Sequence, residues 1–127
     1  MRNIKSTNIN FRRLIASLKK LSNDKKVNIW DAVASNLSKP ARSRRHVNLT
    51  RLESYASNGE TVVVPGKVLG TGELSKKITV AGWRFSDTAF DKINKVGKAI
   101  SIEELMSKNP NGKKVRIIGW KLLMQKD

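Results

Sequence analysis

A single α/β domain, led by a short basic arm and two helices, is the fold class that the sequence predicts. Three observations carry it. Apolar residues recur at helical spacing from Phe11 to Leu37, and from Thr61 onward β-branched runs alternate with helical patterns and turn signals. The 127 residues, 39% of them hydrophobic, suffice for one core.

Residues Met1 to Asn10 form the arm, with Arg2 and Lys5 and little apolar content. A helix is predicted from Phe11 to Leu21, because Phe11, Leu14, Ile15, Leu18 and Leu21 share one face. The polar turn from Ser22 to Lys26 breaks it. A second helix runs from Ile29 to Leu37, with Asn28 as N-cap, Asp31 in its first turn and Pro40 as its stop. Lys39 to His46 lacks any apolar residue larger than alanine and reads as a surface loop.

Val47 to Tyr55 is a short apolar unit with a helical turn or two, and Asn58-Gly59 is a turn. Thr61 to Val64 reads as a strand buried on both faces and closed by Pro65-Gly66. Gly66, Gly70 and Gly72 punctuate a loop before a strand from Ile78 to Phe85. Ser86 caps a helix ending near Gly97, with Ala89, Phe90, Ile93 and Val96 inward. Lys98 to Ile100 is a short edge, and Ser101-Ile102-Glu103-Glu104 is a capping box opening a helix that buries Ile102, Leu105 and Met106. Asn109-Pro110-Asn111-Gly112 turns into a last strand, Val115 to Ile118. Residues 11–119 thus make the domain and 120–127 a weakly specified tail.

Charge sets the functional class. Lys and Arg number 26 against 10 Asp and Glu, a formal net charge of +16. Such an excess repels itself in a compact body and points to a polyanionic partner. With no cysteine, disulfides and thiolate metal sites are excluded. No apolar run is long enough for a membrane span. Met1 to Asn23 is basic, contains serine and lacks acids, as transit peptides do, but its helix has a face built for packing.

Catalytic groups are scarce. His46 is the sole histidine and sits beside Arg44 and Arg45, whose charge favours the neutral imidazole. It suits contact with RNA or solvent better than general-base work. Glu103 and Glu104 are explained by capping and the helix dipole. Gly70-Thr71-Gly72-Glu73-Leu74-Ser75 begins like a dinucleotide fingerprint, yet Ser75 stands where the third glycine belongs. Gly112-Lys113-Lys114 lacks the rest of a P-loop. The expectation is a protein that is not an enzyme and holds no cofactor or metal.

Cations accumulate where an irregular polyanion would meet them. They are Arg2 and Lys5 in the arm, and Arg12, Arg13, Lys19 and Lys20 on the first helix. Lys39, Arg42, Arg44 and Arg45 lie in the basic loop, and Arg51, Lys67, Lys76, Lys77, Arg84, Lys113 and Lys114 follow. Lys and Arg on phosphates release counterions, and Arg also stacks on bases. A single Lys is as often merely solvated; the cluster of Arg42, Arg44 and Arg45 favours binding. Of the aromatic candidates for base stacking, Trp30 lies on an apolar stripe and belongs in the core. Trp83, beside Arg84, favours packing over stacking, and Trp120 stays open between the two.

Several segments resemble one family. Leu37-Ser38-Lys39-Pro40 leading to Val47-Asn48-Leu49-Thr50-Arg51-Leu52 is similar to the signature of the archaeal and eukaryotic large-subunit ribosomal protein eighteen-e. So are the run from Val62 to Gly72, Ile78-Thr79-Val80-Ala81 with Phe85-Ser86, and Asn109 to Gly112 with Val115 to Ile118. Ala41 stands where the family commonly has a basic residue and Arg45 where a small one is usual, so basic charge is kept but shifted. The residues after Gly119 run past the usual family end. The resemblance implies the fold of the bacterial large-subunit protein fifteen, an irregular superhelix of strand-strand-helix units. It further implies a structural, ribosome-bound, cytoplasmic protein held in large-subunit ribosomal RNA beside other large-subunit proteins, without catalytic activity or a tightly held cofactor; His46 and Asn48 join the cations as candidate RNA contacts.

The expected function is therefore structural binding of ribosomal RNA, without catalysis, membrane or small-molecule substrate. The rival is a DNA-compacting chromatin protein, against which the charges are spread over several faces without a recognition helix. An RNA-modifying enzyme lacks its reactive groups, and a membrane-surface helix lacks aromatic anchors beyond Phe11.

Overall fold

The computed structural model describes residues 2–3, 8–37, 47–118 and 123–124. In chain order the elements are β1 (Arg2–Asn3), α1 (Asn8–Lys25), α2 (Asn28–Leu37), β2 (Val47–Asn48), α3 (Leu49–Tyr55), β3 (Thr61–Leu69) and β4 (Thr79–Phe85). They continue with α4 (Asp87–Val96), β5 (Lys98–Ser101), α5 (Ile102–Lys108), β6 (Val115–Ile118) and β7 (Leu123–Met124).

The parallel pair β3–β4 is the spine of one mixed sheet. Each spine strand shares its outer edge between two partners. The first half of β3 pairs with β6 and its end with β2, both parallel. The first half of β4 pairs with β5 in parallel, and its end receives β1 antiparallel. β7 closes the β6 edge antiparallel. β3, β4 and α4 give one complete strand-strand-helix unit of the kind that the resemblance implies.

Alternation along the strands divides the core between the two sheet faces. Val63, Ala81, Trp83, Ile100, Val115 and Ile117 pack with α1, α2 and α5. Val62, Val64, Val68, Val80 and Ile118 pack with α3 and α4. Because both faces are covered, the spine reads as a continuous apolar run, as a buried parallel strand does.

The N-caps Ser86 and Ser101 and the last strand agree with expectation, whereas Asn28, the expected cap of α2, is that helix's first residue. Ser86 Oγ accepts from Ala89 N at 3.1 Å and Ser101 Oγ accepts from Glu104 N at 3.0 Å. Val115 to Ile118 is a strand within those bounds. α1 differs at both ends. It begins at Asn8, within the expected arm, and runs through the expected turn to Lys25. Its stop is a Schellman motif: Val27 N donates to Ser22 O at 3.1 Å, and Ser22 Oγ donates to Val27 O at 2.8 Å. The left-handed position, usually glycine, is Lys26 with φ 56°, so no glycine marked it in the sequence.

β3 also outruns its expected end at Pro65-Gly66 and continues to Leu69. The register shifts between Val64 and Lys67, so Pro65 and Gly66 form a bulge. They lie after the last β6 partner, Val63, and before the first β2 partner, Val68. No neighbouring strand calls on the N–H that proline lacks.

Candidate nucleic-acid interface

The glycine loop between β3 and β4 is a rigid bridge between two helices. At Gly70 a Cβ would stand 2.7 Å from Thr88 Cβ and 3.0 Å from Ala89 N, so the loop lies directly on α4. At Gly72, φ +96°, a Cβ would overlap Thr50 Oγ1, so the loop lies equally close to α3. Close approach and positive φ, rather than a phosphate cradle, account for these glycines. Lys92 Nζ donates to Gly72 O at 2.9 Å and Gly70 O at 3.3 Å and pairs with Glu73 at 3.0 Å.

Glu53 anchors the far end of the loop, accepting from Ser75 N at 2.9 Å and Ser75 Oγ at 2.6 Å. These bonds, the Ser75 hydroxyl first, hold its carboxyl below the usual glutamate range. Lys76 turns inward and donates to Glu53 O at 2.6 Å and Ala56 O at 2.7 Å. Two of its three donors thus close the C-terminal end of α3. Lys77 remains exposed, its backbone N–H held by Asn58 Oδ1 at 2.7 Å.

The surrounding cations fall into three zones. At the C-terminal end of the sheet, Lys67 lies opposite Arg84, Asn3 opposite Arg84 and Arg2 opposite Phe85. Asn48 of β2 lies opposite Leu69 at the same end. Arg84 sits 5.9 Å over the ring of Trp83, which is itself buried in the core. Asn48 Oδ1 and Arg84 Nε are buried without a hydrogen bond among the described residues. Asn48 precedes α3 without a side-chain cap. Lys39, Arg42, Arg44, Arg45 and His46, the densest basic run, lie outside the described residues.

The second zone is at the N-terminal end of the sheet. A cleft of about 390 Å³ runs among Asn58, Gly59, Glu60, Lys113, Lys114 and Arg116. Arg116 Nε forms an ion pair with Glu60 at 2.9 Å, and Arg116 Nη1 donates to Tyr55 O at 2.8 Å. Lys113 and Lys114 are exposed on a turn that Asn109 staples by accepting from Lys113 N at 3.3 Å and donating to Lys113 O at 2.9 Å. The third zone is the outer face of α1, where Arg12, Arg13, Lys19 and Lys20 are exposed and Lys20 pairs loosely with Asp24 at 3.5 Å. A second i,i+4 pair, Glu104 with Lys108 at 2.9 Å, lies on α5; the hydrogen bond between them lowers the pKa of Glu104 and raises that of Lys108.

Lys67, Arg84 and Asn48 are therefore brought together, Lys77, Lys113 and Lys114 stand at the opposite end, and the α1 cations form their own face. Lys5 and Trp120 lie outside the described residues. Trp30 is fully buried, as its stripe predicted. The exposed aromatic is Tyr55, 45% accessible and the one large hydrophobic so placed among the described residues. Arg51 lies over its ring at 5.2 Å. The i,i+4 spacing of Arg51 and Tyr55 was the available signal. Lys92 and Arg116, absent from the expected set, hold loop and cleft in shape.

Among the described residues no group of three or more His, Cys, Asp or Glu is placed to hold a metal, and no helix is long and apolar enough to cross a membrane.

Comparison with known proteins points one way. Residues 8–101 match the family described as ribosomal proteins 50S-L15 and 50S-L18e, together with their 60S counterpart. The chain is similar to the large ribosomal subunit protein eL18 of Haloarcula marismortui, 49% identical over 88% of this chain and 97% of that one. It is 45% identical to the protein of the same name from Methanococcus maripaludis, over 93% of this chain and 99% of the relative. The Methanopyrus kandleri protein of that name is 44% identical over 88% and 93%.

Proposed function

The chain belongs to the ribosomal protein family of 50S-L15, 50S-L18e and their 60S counterpart, and on that premise we propose that it is a structural constituent of the large ribosomal subunit which binds ribosomal RNA. The observation that carries the RNA-binding part is the placement of charge. Cations occupy three separate zones of one body, exposed on α1 and at the N-terminal end of the sheet and half-buried at Lys67 and Arg84, and its loops are tied down by Lys92, Glu53 and Lys76. A partner that meets all three must be a large, folded polyanion, and a rigid scaffold loses little entropy on docking into it.

In this reading residues 11–119 are the binding body, with the start of α1 at Asn8 reaching into the arm of residues 1–10, and residues 120–127 are a tail. Lys67, Arg84, Lys77, Lys113, Lys114 and the α1 cations contact phosphates and sugars. Arg42, Arg44, Arg45 and His46 add further RNA contacts, and other large-subunit proteins are neighbours. The family is a structural one, and no reaction is assigned to the chain.

Two measurements test this. The native protein should sediment with large subunits and stay there in moderately high salt. Replacing Arg42, Arg44 and Arg45 together by Ala should weaken binding to folded ribosomal RNA and flatten its salt dependence. Free protein beside bare subunits would overturn the proposal, as would equal preference for duplex DNA at fixed salt.

A further inference from the structure

We propose that Tyr55, with Arg51 over its ring, is a stacking platform for one unpaired nucleobase, whose strand continues across the cleft at Lys113 and Lys114. The proposal rests on the RNA-binding reading and adds a site to it. Tyr55 is an anomaly in its surroundings: the other large apolar side chains described are buried or half-buried, while its ring is 45% accessible.

The platform is held still. Tyr55 ends α3, where carbonyls have no helical partner. Arg116 of β6 donates to Tyr55 O at 2.8 Å, and Lys76 donates to Glu53 O and Ala56 O at 2.6 and 2.7 Å. Two cations from elsewhere in the chain thus pin the backbone of an exposed aromatic. The Arg51 guanidinium, 5.2 Å from the ring centroid, adds a planar cationic surface beside it.

The cleft that Arg116 joins to the backbone of Tyr55 identifies the ligand. Arg116, which holds Tyr55 O, also lines the cleft together with Ser57, Lys113 and Lys114. The lining has one carboxylate, Glu60, and Arg116 neutralises it at 2.9 Å. An apolar protein segment would gain the ring but would strand its own backbone over two lysines. A base paired within a helix is stacked on both faces and offers none to the ring. An unpaired nucleotide satisfies both halves, with its base on Tyr55 and adjacent phosphates on the lysines.

The test uses the full chain, large-subunit ribosomal RNA, and the variants Tyr55→Ala, Tyr55→Phe and Tyr55→Trp. Affinity is measured against salt, and ultraviolet cross-links are mapped by mass spectrometry. Tyr55→Ala should bind about 5- to 150-fold more weakly, the equivalent of one stacked base, at an unchanged salt slope. Tyr55→Phe and Tyr55→Trp should keep affinity, and the unaltered chain should form a nucleotide adduct at Tyr55. Equal binding by Tyr55→Ala, a changed salt slope, or adducts confined to other residues would overturn the site while leaving RNA binding intact. Failure of the unaltered chain to bind would remove the broader reading instead, and this site with it.

Discussion

Trp30 in α2 donates its indole N–H to the carbonyl of Pro110 at 2.7 Å, bridging eighty positions of sequence. The bond ties the N-terminal helix pair to the turn between α5 and β6. Beneath it, a Cβ on Gly112 would stand 2.7 Å from Ile29 Cγ2, so the turn sits hard against α2. Trp30→Phe removes the donor and leaves a void in a fully buried site. The expected loss of folding stability is about 2–4 kcal/mol, measured by denaturant titration with an unchanged slope.

Lys26 carries a left-handed backbone at the C-terminal end of α1. Glycine adopts that conformation without the steric cost that a Cβ brings. Lys26→Gly should stabilise the protein by about 1 kcal/mol, read as a rise in melting temperature.

Gly72 faces Thr50 with no room for a side chain, and its φ is positive. Gly72→Ala forces the loop away from α3, where Thr50 N now donates to Thr71 O at 3.2 Å. A destabilisation of about 2–4 kcal/mol is expected, with faster hydrogen exchange at the amide of Thr50.

Glu53 has a folded-state pKa below its usual 4.5, chiefly through the Ser75 hydroxyl. A lowered carboxylate pKa contributes stability above the unfolded value, and that contribution disappears as pH falls through the folded one. Melting temperature should therefore drop on acidification below pH 4.5, and Glu53→Gln should flatten this part of the profile. An unchanged profile would show that the Ser75 clamp is not what titrates.

Arg12, Arg13, Lys19 and Lys20 are exposed, and only Lys20 has an ion pair among the described residues, a loose one with Asp24. Such a pair is worth little and gives way readily to a phosphate. Replacing all four by Gln should leave the melting temperature nearly unchanged. It should reduce the slope of log affinity against log salt for ribosomal RNA by roughly 3 to 4, if all four meet phosphates.

Much of this architecture is legible locally. Ser86 and Ser101 announce their helices because a cap acts within three residues, and the Asn109–Gly112 turn announces the start of β6. The stop of α1 escaped because a lysine took the place of glycine. The length of β3 escaped because Pro65 and Gly66 read as punctuation wherever no bulge is known.

Fold class, excess positive charge, poverty of reactive groups and family signature can all be read from the order of residues. These depend on residue type and short-range order. Which cations face outward depends on packing across the whole fold. Lys76, Lys92 and Arg116 look like any other basic residue, yet each is turned onto carbonyls brought to it by packing, from twenty to sixty-one positions away. Unpaired carbonyls at helix ends and tight loops draw in the ammonium or guanidinium that folding places beside them, and no local pattern records that meeting.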